Sequence, residues 1–150
     1  MNFLALDLAT RTGWAYMLDG QVYSGVTDFK RKKKDHEGEP FRKFYMWFNT
    51  ILKDAKPEKI FFEEPGFMKF RKATEMRGGY AAIVKGYCAE LNLPIEGVPV
   101  GTIKKHATGK GNAKKADMVA AMKAQGFDPK DDNEADALAL LKYIEVVGLA

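Results

Sequence analysis

Three runs near the start of the chain, residues 2–8, 12–18 and 21–27, are rich in apolar, β-branched and aromatic side chains, the composition of strands. Asp19-Gly20 separates the second run from the third. That dipeptide favours the two-residue hairpin turn, so the pattern predicts an antiparallel three-strand meander. The polar stretch "DFKRKKKDHEGEP" reads as a loop. After it Phe41, Phe44, Tyr45, Phe48, Ile51 and Leu52 recur at helical spacing and predict a helix over 40–55.

"EKIFFEE", just after Pro57, is a short continuous apolar run. Following a helix, it can pair parallel to the first strand and be buried on both faces. Residues 73–92 predict a second long helix with Gly78-Gly79 inside it, and "LPIEGVPV" a further short strand. "GTIKKHATGKGNAKK" is a basic segment punctuated by glycines, and helices over 114–125 and 132–147 complete the chain, separated by "GFDPK". The order βββ-α-β-α-β-α-α predicts an α/β fold: a mixed five-stranded sheet, with the meander at one edge and helices on both faces. No repeat or linker divides the 150 residues, the length of one domain with one core.

Within this pattern some carboxylates are out of place. Asp7 follows Phe3-Leu4-Ala5-Leu6 inside an apolar run, and a buried carboxylate costs several kcal/mol unless it is paired or metal-bound. It can cap the "ATRTG" turn or pair with Arg11 instead. Glu63 ends the second buried strand. If strands one and four are adjacent and parallel, Asp7 and Glu63 emerge at one carboxyl edge, where open α/β sheets place their sites. Glu64, just before Pro65, can face water. In "DDNEADALALLKYIEVV", steps of four from Asp132 give Asp136, Leu140 and Ile144, with Tyr143 and Val147 beside them, so two aspartates continue the apolar stripe inward. Asp131 suits a helix cap, with Glu134 three residues on, a role Asp132 could share; Asp136 is a full turn inside.

Such a set is rich in hard oxygen ligands and poor in imidazole or thiolate, chemistry that suits magnesium or manganese. Two such ions roughly 4 Å apart can activate water and stabilise the leaving oxygen in phosphodiester cleavage. Cys88 is the single cysteine, which excludes an internal disulfide or a thiolate zinc cluster and fits a reducing compartment. The start of the chain does not read as a signal peptide, and no run approaches the roughly eighteen apolar residues of a membrane span. A cytoplasmic location is expected.

The formal charge is only +4, but it is unevenly spread. Residues 30–34 read Lys-Arg-Lys-Lys-Lys, and Lys104, Lys105, Lys110, Lys114 and Lys115 fall between Gly101 and Lys115 without an acid. Two basic blocks in a nearly balanced chain point to an anionic partner. Gly109-Lys110-Gly111 can let the backbone approach a phosphate.

Asp7 in "LDLATRTGWA", Glu63 six residues after Pro57, "GKGNAKKADMVAAM" and "DDNEADALALL" stand in the order and spacing of the RuvC family of Holliday junction resolvases. Over nearly its whole length the chain resembles the compact phage members. The resemblance implies a ribonuclease H-like fold, a homodimer, and symmetric magnesium-dependent cutting of four-way and other branched DNA, in the host cytoplasm if the chain is phage-encoded. It implies Asp7, Glu63, Asp132 and Asp136 as catalytic, metal-binding acids. Bacterial members space the last two acids by three, whereas these aspartates are four apart with Asn133 at the third position, so Asp131 is held in reserve. The aromatic that enters the junction centre in bacterial resolvases is matched by Phe67. With Met68, Phe70, Lys69, Arg71 and Lys72 it would form a mixed apolar and basic loop on DNA, or Phe67 and Phe70 would anchor that loop to the core. Lys104 and Lys115 match family lysines best, Lys105, Lys110 and Lys114 extend the contact, and Arg11 would reach a phosphate or pair with an acid. The helix over 73–92 would join the dimer interface. Two other readings are a non-catalytic DNA-binding module and, from "DLATRTG", a fragment of an actin-like ATPase.

Overall fold

The computed structural model describes residues 1–66 and 70–148. These form strands β1 (Phe3–Asp7), β2 (Arg11–Leu18) and β3 (Gln21–Asp28), helix α1 (Glu39–Ala55), β4 (Lys59–Glu64), α2 (Arg71–Leu91), β5 (Ile95–Pro99), and helices α3 (Val100–Thr108), α4 (Lys115–Ala124) and α5 (Asp132–Val147). The sheet order is β3-β2-β1-β4-β5. β1, β2 and β3 pair antiparallel as the meander, and β4 and β5 add in parallel on the other side of β1. Asp19 and Gly20 both take positive φ, +51° and +83°, as the predicted hairpin turn requires.

Strand alternation divides the core in two. Leu4, Leu6, Tyr16 and Ile60 pack with α1 and α2 through Phe44, Phe48, Tyr80, Val84 and Cys88. Phe3, Ala5, Ala15, Phe61 and Val98 face α3, α4 and α5, where Ile103, Met118, Leu138 and Leu141 cover them. Period two therefore aims Asp7, two residues after Ala5, and Glu63, two after Phe61, at the α5 face. The register Leu6 opposite Phe62 carries them to neighbouring positions at the sheet's carboxyl edge.

The basic, glycine-punctuated segment holds a helix, α3, that the sequence reading did not assign. Gly101 occupies its first turn and Gly109 ends it in the left-handed conformation, φ +86°. These glycines bound a helix instead of marking a continuous loop. Helix α2 begins at Arg71, so Arg71 and Lys72 stand in its first turn and not in the expected loop. Its buried line is Tyr80, Val84 and Cys88. Gly79 serves packing within the chain: a Cβ there would come within 2.3 Å of the Phe41 ring on α1. Val147, expected on the inward stripe of α5, is 45% exposed. Among the described residues no helix is long and apolar enough to cross a membrane.

Candidate acidic metal centre

Asp7, Glu63 and Asp136 each place a carboxylate oxygen within 4.8 Å of the other two. Asp7 and Glu63 are buried, at 3% and 6% exposure, and hang from the adjacent parallel strands β1 and β4. Asp136 reaches them from the second turn of α5. That approach depends on Gly13, which pairs with Asp7 across β1 and β2 and lies directly beneath the Asn133 carbonyl of α5.

The N-terminus of α5 separates the roles of its acids. Asp131 is the N-cap, its Oδ1 accepting from the Glu134 N–H at 2.9 Å while its Oδ2 accepts from the Arg11 Nε–H. Burial opposes its ionisation, but Arg11 and the cap hydrogen bond outweigh it and hold the carboxyl below its usual range. Glu134 does not return the bond to the cap residue; its oxygens accept from Lys130 N–H at 2.9 Å and Ser24 hydroxyl at 2.7 Å. Asp131 is thus committed to the helix end and to Arg11. Asp132 lies outside the tight trio, but its charge acts on both Asp7 and Asp136, and Lys115 stands 3.9 Å away. Glu64 points off the site and lies across Gly97 of β5.

The electrostatics follow from burial. Glu63 is pushed up to about 9 by burial first, then by the charges of Asp7 and Asp136. Asp136 is pushed up to about 8 by burial, Asp7 and Asp132, with Lys104 of α3 opposing. Asp7 is also raised by burial, opposed most strongly by Arg77. Glu63 Oε2 is buried with no hydrogen-bond partner among the described residues. An orphaned carboxylate oxygen in an all-oxygen donor set fits a hard divalent cation.

Arg77 was not anticipated from the sequence. It sits on α2 and donates from Nη2 to Asp7 Oδ1 at 2.8 Å and from Nη1 to the Glu63 carbonyl at 3.3 Å. It continues the buried line Tyr80, Val84, Cys88 one turn toward the N-terminus, so the stripe argument that singles out Asp136 also applies to it.

The expected DNA-binding residues are scattered in role. Phe67 and Lys69, with Met68, lie outside the described residues. Arg71 pairs with Glu75 one turn on, at 2.9 Å, and Lys72 is exposed beside it. Arg11 pairs with Asp131 and, at 3.6 Å, with Asp28. Lys104 is half-buried on α3 on the side of Asp136, whereas Lys105, Lys110, Lys114 and Lys115 are exposed on α3, the following turn and the start of α4. Lys114 caps α4.

No protein-family model matches the chain, and no curated protein matches it in sequence. Solved structures do match. RuvC of Thermus thermophilus aligns with a TM-score of 0.74 at 19% identity, over 99% of this chain and 97% of that one. T. thermophilus RuvC in complex with Holliday junction substrate gives 0.73 at 20% identity, over 93% and 89%. The yeast mitochondrial Holliday junction resolvase gives 0.62 at 13% identity, over 91% and 74%. The chain therefore has the ribonuclease H-like fold of RuvC that its sequence motifs implied.

Proposed function

We propose that the chain is a RuvC-type resolvase: a single nuclease domain that hydrolyses phosphodiesters of four-way DNA junctions with divalent metal ions. The observation that carries this reading is the meeting of Asp7, Glu63 and Asp136 from three distant stretches within 4.8 Å. The motifs that resemble RuvC and the shared fold support it. So does the substrate in the aligned T. thermophilus complex, a Holliday junction.

Asp7, Glu63 and Asp136 would hold magnesium or manganese, with Asp132 completing a second position beside Asp136. Bound there, two divalent ions supply a nucleophile at neutral pH and stabilise the charge on the leaving oxygen. The protein's own part is positional. β1 and β4 fix two ligands on a rigid sheet edge, α5 brings the others across Gly13, and burial keeps competing water from their inner side. Lys104 near Asp136 and Lys115 near Asp132, with the exposed Lys110 and Lys114 between them in sequence, would hold phosphates as point charges. Arg71 and Lys72 in the first turn of α2 would meet the junction, with Lys105 and Arg11 at the margin of the contact, and the resemblance adds Phe67 and Lys69.

Two scissile strands require two sites, so we assign the active form to a homodimer through α2. Its outer face carries Ile83, Tyr87 and the exposed Leu91, and with Tyr45 of α1 they line a shallow groove. The test is direct: labelled four-way junctions and linear duplex of the same sequence are incubated with and without Mg2+. Paired nicks in the junction alone, dependent on Mg2+, are expected. Unimpaired function of Asp7→Asn would instead favour the non-catalytic DNA-binding reading.

A further inference from the structure

Arg77 is the cation already present among the acids. Its Nη2 contact with Asp7 Oδ1 at 2.8 Å occupies an oxygen of the carboxylate trio, and its side chain is only 16% exposed. The arrangement is not a saturated salt bridge. Arg77 Nε and Glu63 Oε2 are both buried without hydrogen-bond partners, although they lie in the same site. A buried pair built only for stability would satisfy these atoms, because each orphan carries its full desolvation cost.

We propose that Arg77 is a resident counter-cation that competes with the divalent ion for Asp7 and so sets the metal concentration at which the site loads. This rests on the acidic trio being a metal site, as argued above. One guanidinium balances one carboxylate. A divalent ion that takes Asp7 as a ligand competes for the same carboxylate and repels the neighbouring guanidinium directly, so loading draws Arg77 away from Asp7 Oδ1. Arg77 is in these terms a positioning residue, acting through Asp7. Such a device keeps buried acids compensated at low metal, at the expense of affinity when metal is abundant.

The test is Mn2+ titration of the full chain by calorimetry, without DNA, comparing wild type with Arg77→Gln and Arg77→Lys. Removing the charge while keeping an amide donor should tighten Mn2+ binding about tenfold or more, whereas Arg77→Lys should stay within about threefold of wild type. Equal or weaker binding by Arg77→Gln, with its fold intact by circular dichroism, overturns the proposal but leaves the metal site standing. Wild type that binds no Mn2+ overturns the metal site and this inference together. A second readout needs no variant: the Arg77 guanidinium resonances of 15N-arginine-labelled protein should move on saturation with Mg2+. Unchanged resonances at saturation exclude the exchange.

Discussion

A Cβ placed on Gly13 would sit 1.9 Å from the Asn133 carbonyl oxygen and 2.4 Å from its carbon. Gly13 does not need its conformational freedom; it needs to have no side chain, because the first turn of α5 crosses β2 there. Asp7 is its partner across the strands, so the crossing also sets how close Asp136 comes to Asp7. Gly13→Ala should cost about 2 kcal/mol or more, since the obstacle is backbone and cannot swing aside. That corresponds to a melting temperature lower by about 4–8 °C. Junction cleavage should fall further than the loss of folded protein explains, measured at a temperature where the variant remains folded.

Glu63→Gln and Asp136→Asn keep the shape of the site but remove a charged ligand. Cleavage should drop by more than the roughly 10–100-fold typical of a residue that only supports a ligand. Junction affinity in a gel-shift assay should hold or improve slightly, because phosphate attraction resides in the lysines. Glu64→Gln and Asp131→Asn separate the neighbours. The first should leave cleavage near wild type, and the second should act through α5 stability, at about 1 kcal/mol for a lost cap.

The raised acids make stability depend on pH in a stated direction. Glu63 titrates near 4.5 when unfolded and about 9 when folded, and Asp136 near 3.8 and about 8. Both bind protons more tightly in the folded chain, so their contribution is fully present below pH 4 and is lost as pH rises toward 9. In EDTA the melting temperature should decline from pH 5 to pH 9, and Asp136→Asn should flatten the decline and be the more stable protein at pH 8 by a few degrees. Mg2+ should reverse the trend, because ion binding displaces those protons. Its affinity should rise with pH, and titrations in buffers of different ionisation enthalpy should report net proton release near pH 7.

Much of this site could be read from the sequence because its acids break strong local patterns. Asp7 and Glu63 end apolar runs, and Asp136 continues a helical stripe inward; each break is visible within one element. The parallel pairing of β1 and β4 follows from a helical crossover between them. Three features were less legible. α3 was hidden by its glycines, which cap its end and enter its first turn but resemble loop punctuation. Arg77 stands on a helix whose apolar face is narrow, beside Gly78-Gly79, which drew attention to close approach instead of to charge. The ion pair that engages Asp131 comes from Arg11, 120 residues away in sequence, and no local pattern carries such a contact.

The lysines differ in what they face, and their variants should differ accordingly. Lys104 is half-buried beside Asp136, so Lys104→Ala should lower cleavage by more than its loss of one phosphate contact lowers junction affinity. Lys110→Ala and Lys114→Ala, on the exposed turn and cap, should weaken binding to any DNA. Each that holds a phosphate should reduce the slope of log affinity against log salt by about 1. Affinities measured between 50 and 200 mM salt would check this.

Dimerisation gives the last prediction. Leu91 is 53% and Tyr45 50% exposed, beside Ile83 and Tyr87 on the shared groove of α1 and α2. An exposed leucine replaced by glutamate changes monomer stability by about 0.5 kcal/mol or less, so Leu91→Glu isolates the association step. Light scattering should shift from two protomers to one, with the melting curve little moved at low protein concentration. The acids of each site come from one chain, so the separated protomer should still nick. What it should lose is coincidence: on a junction held in supercoiled plasmid, singly nicked circles should accumulate where wild type gives linear product. Linear product from a protein that scatters as a single protomer would place the coupling elsewhere than α2.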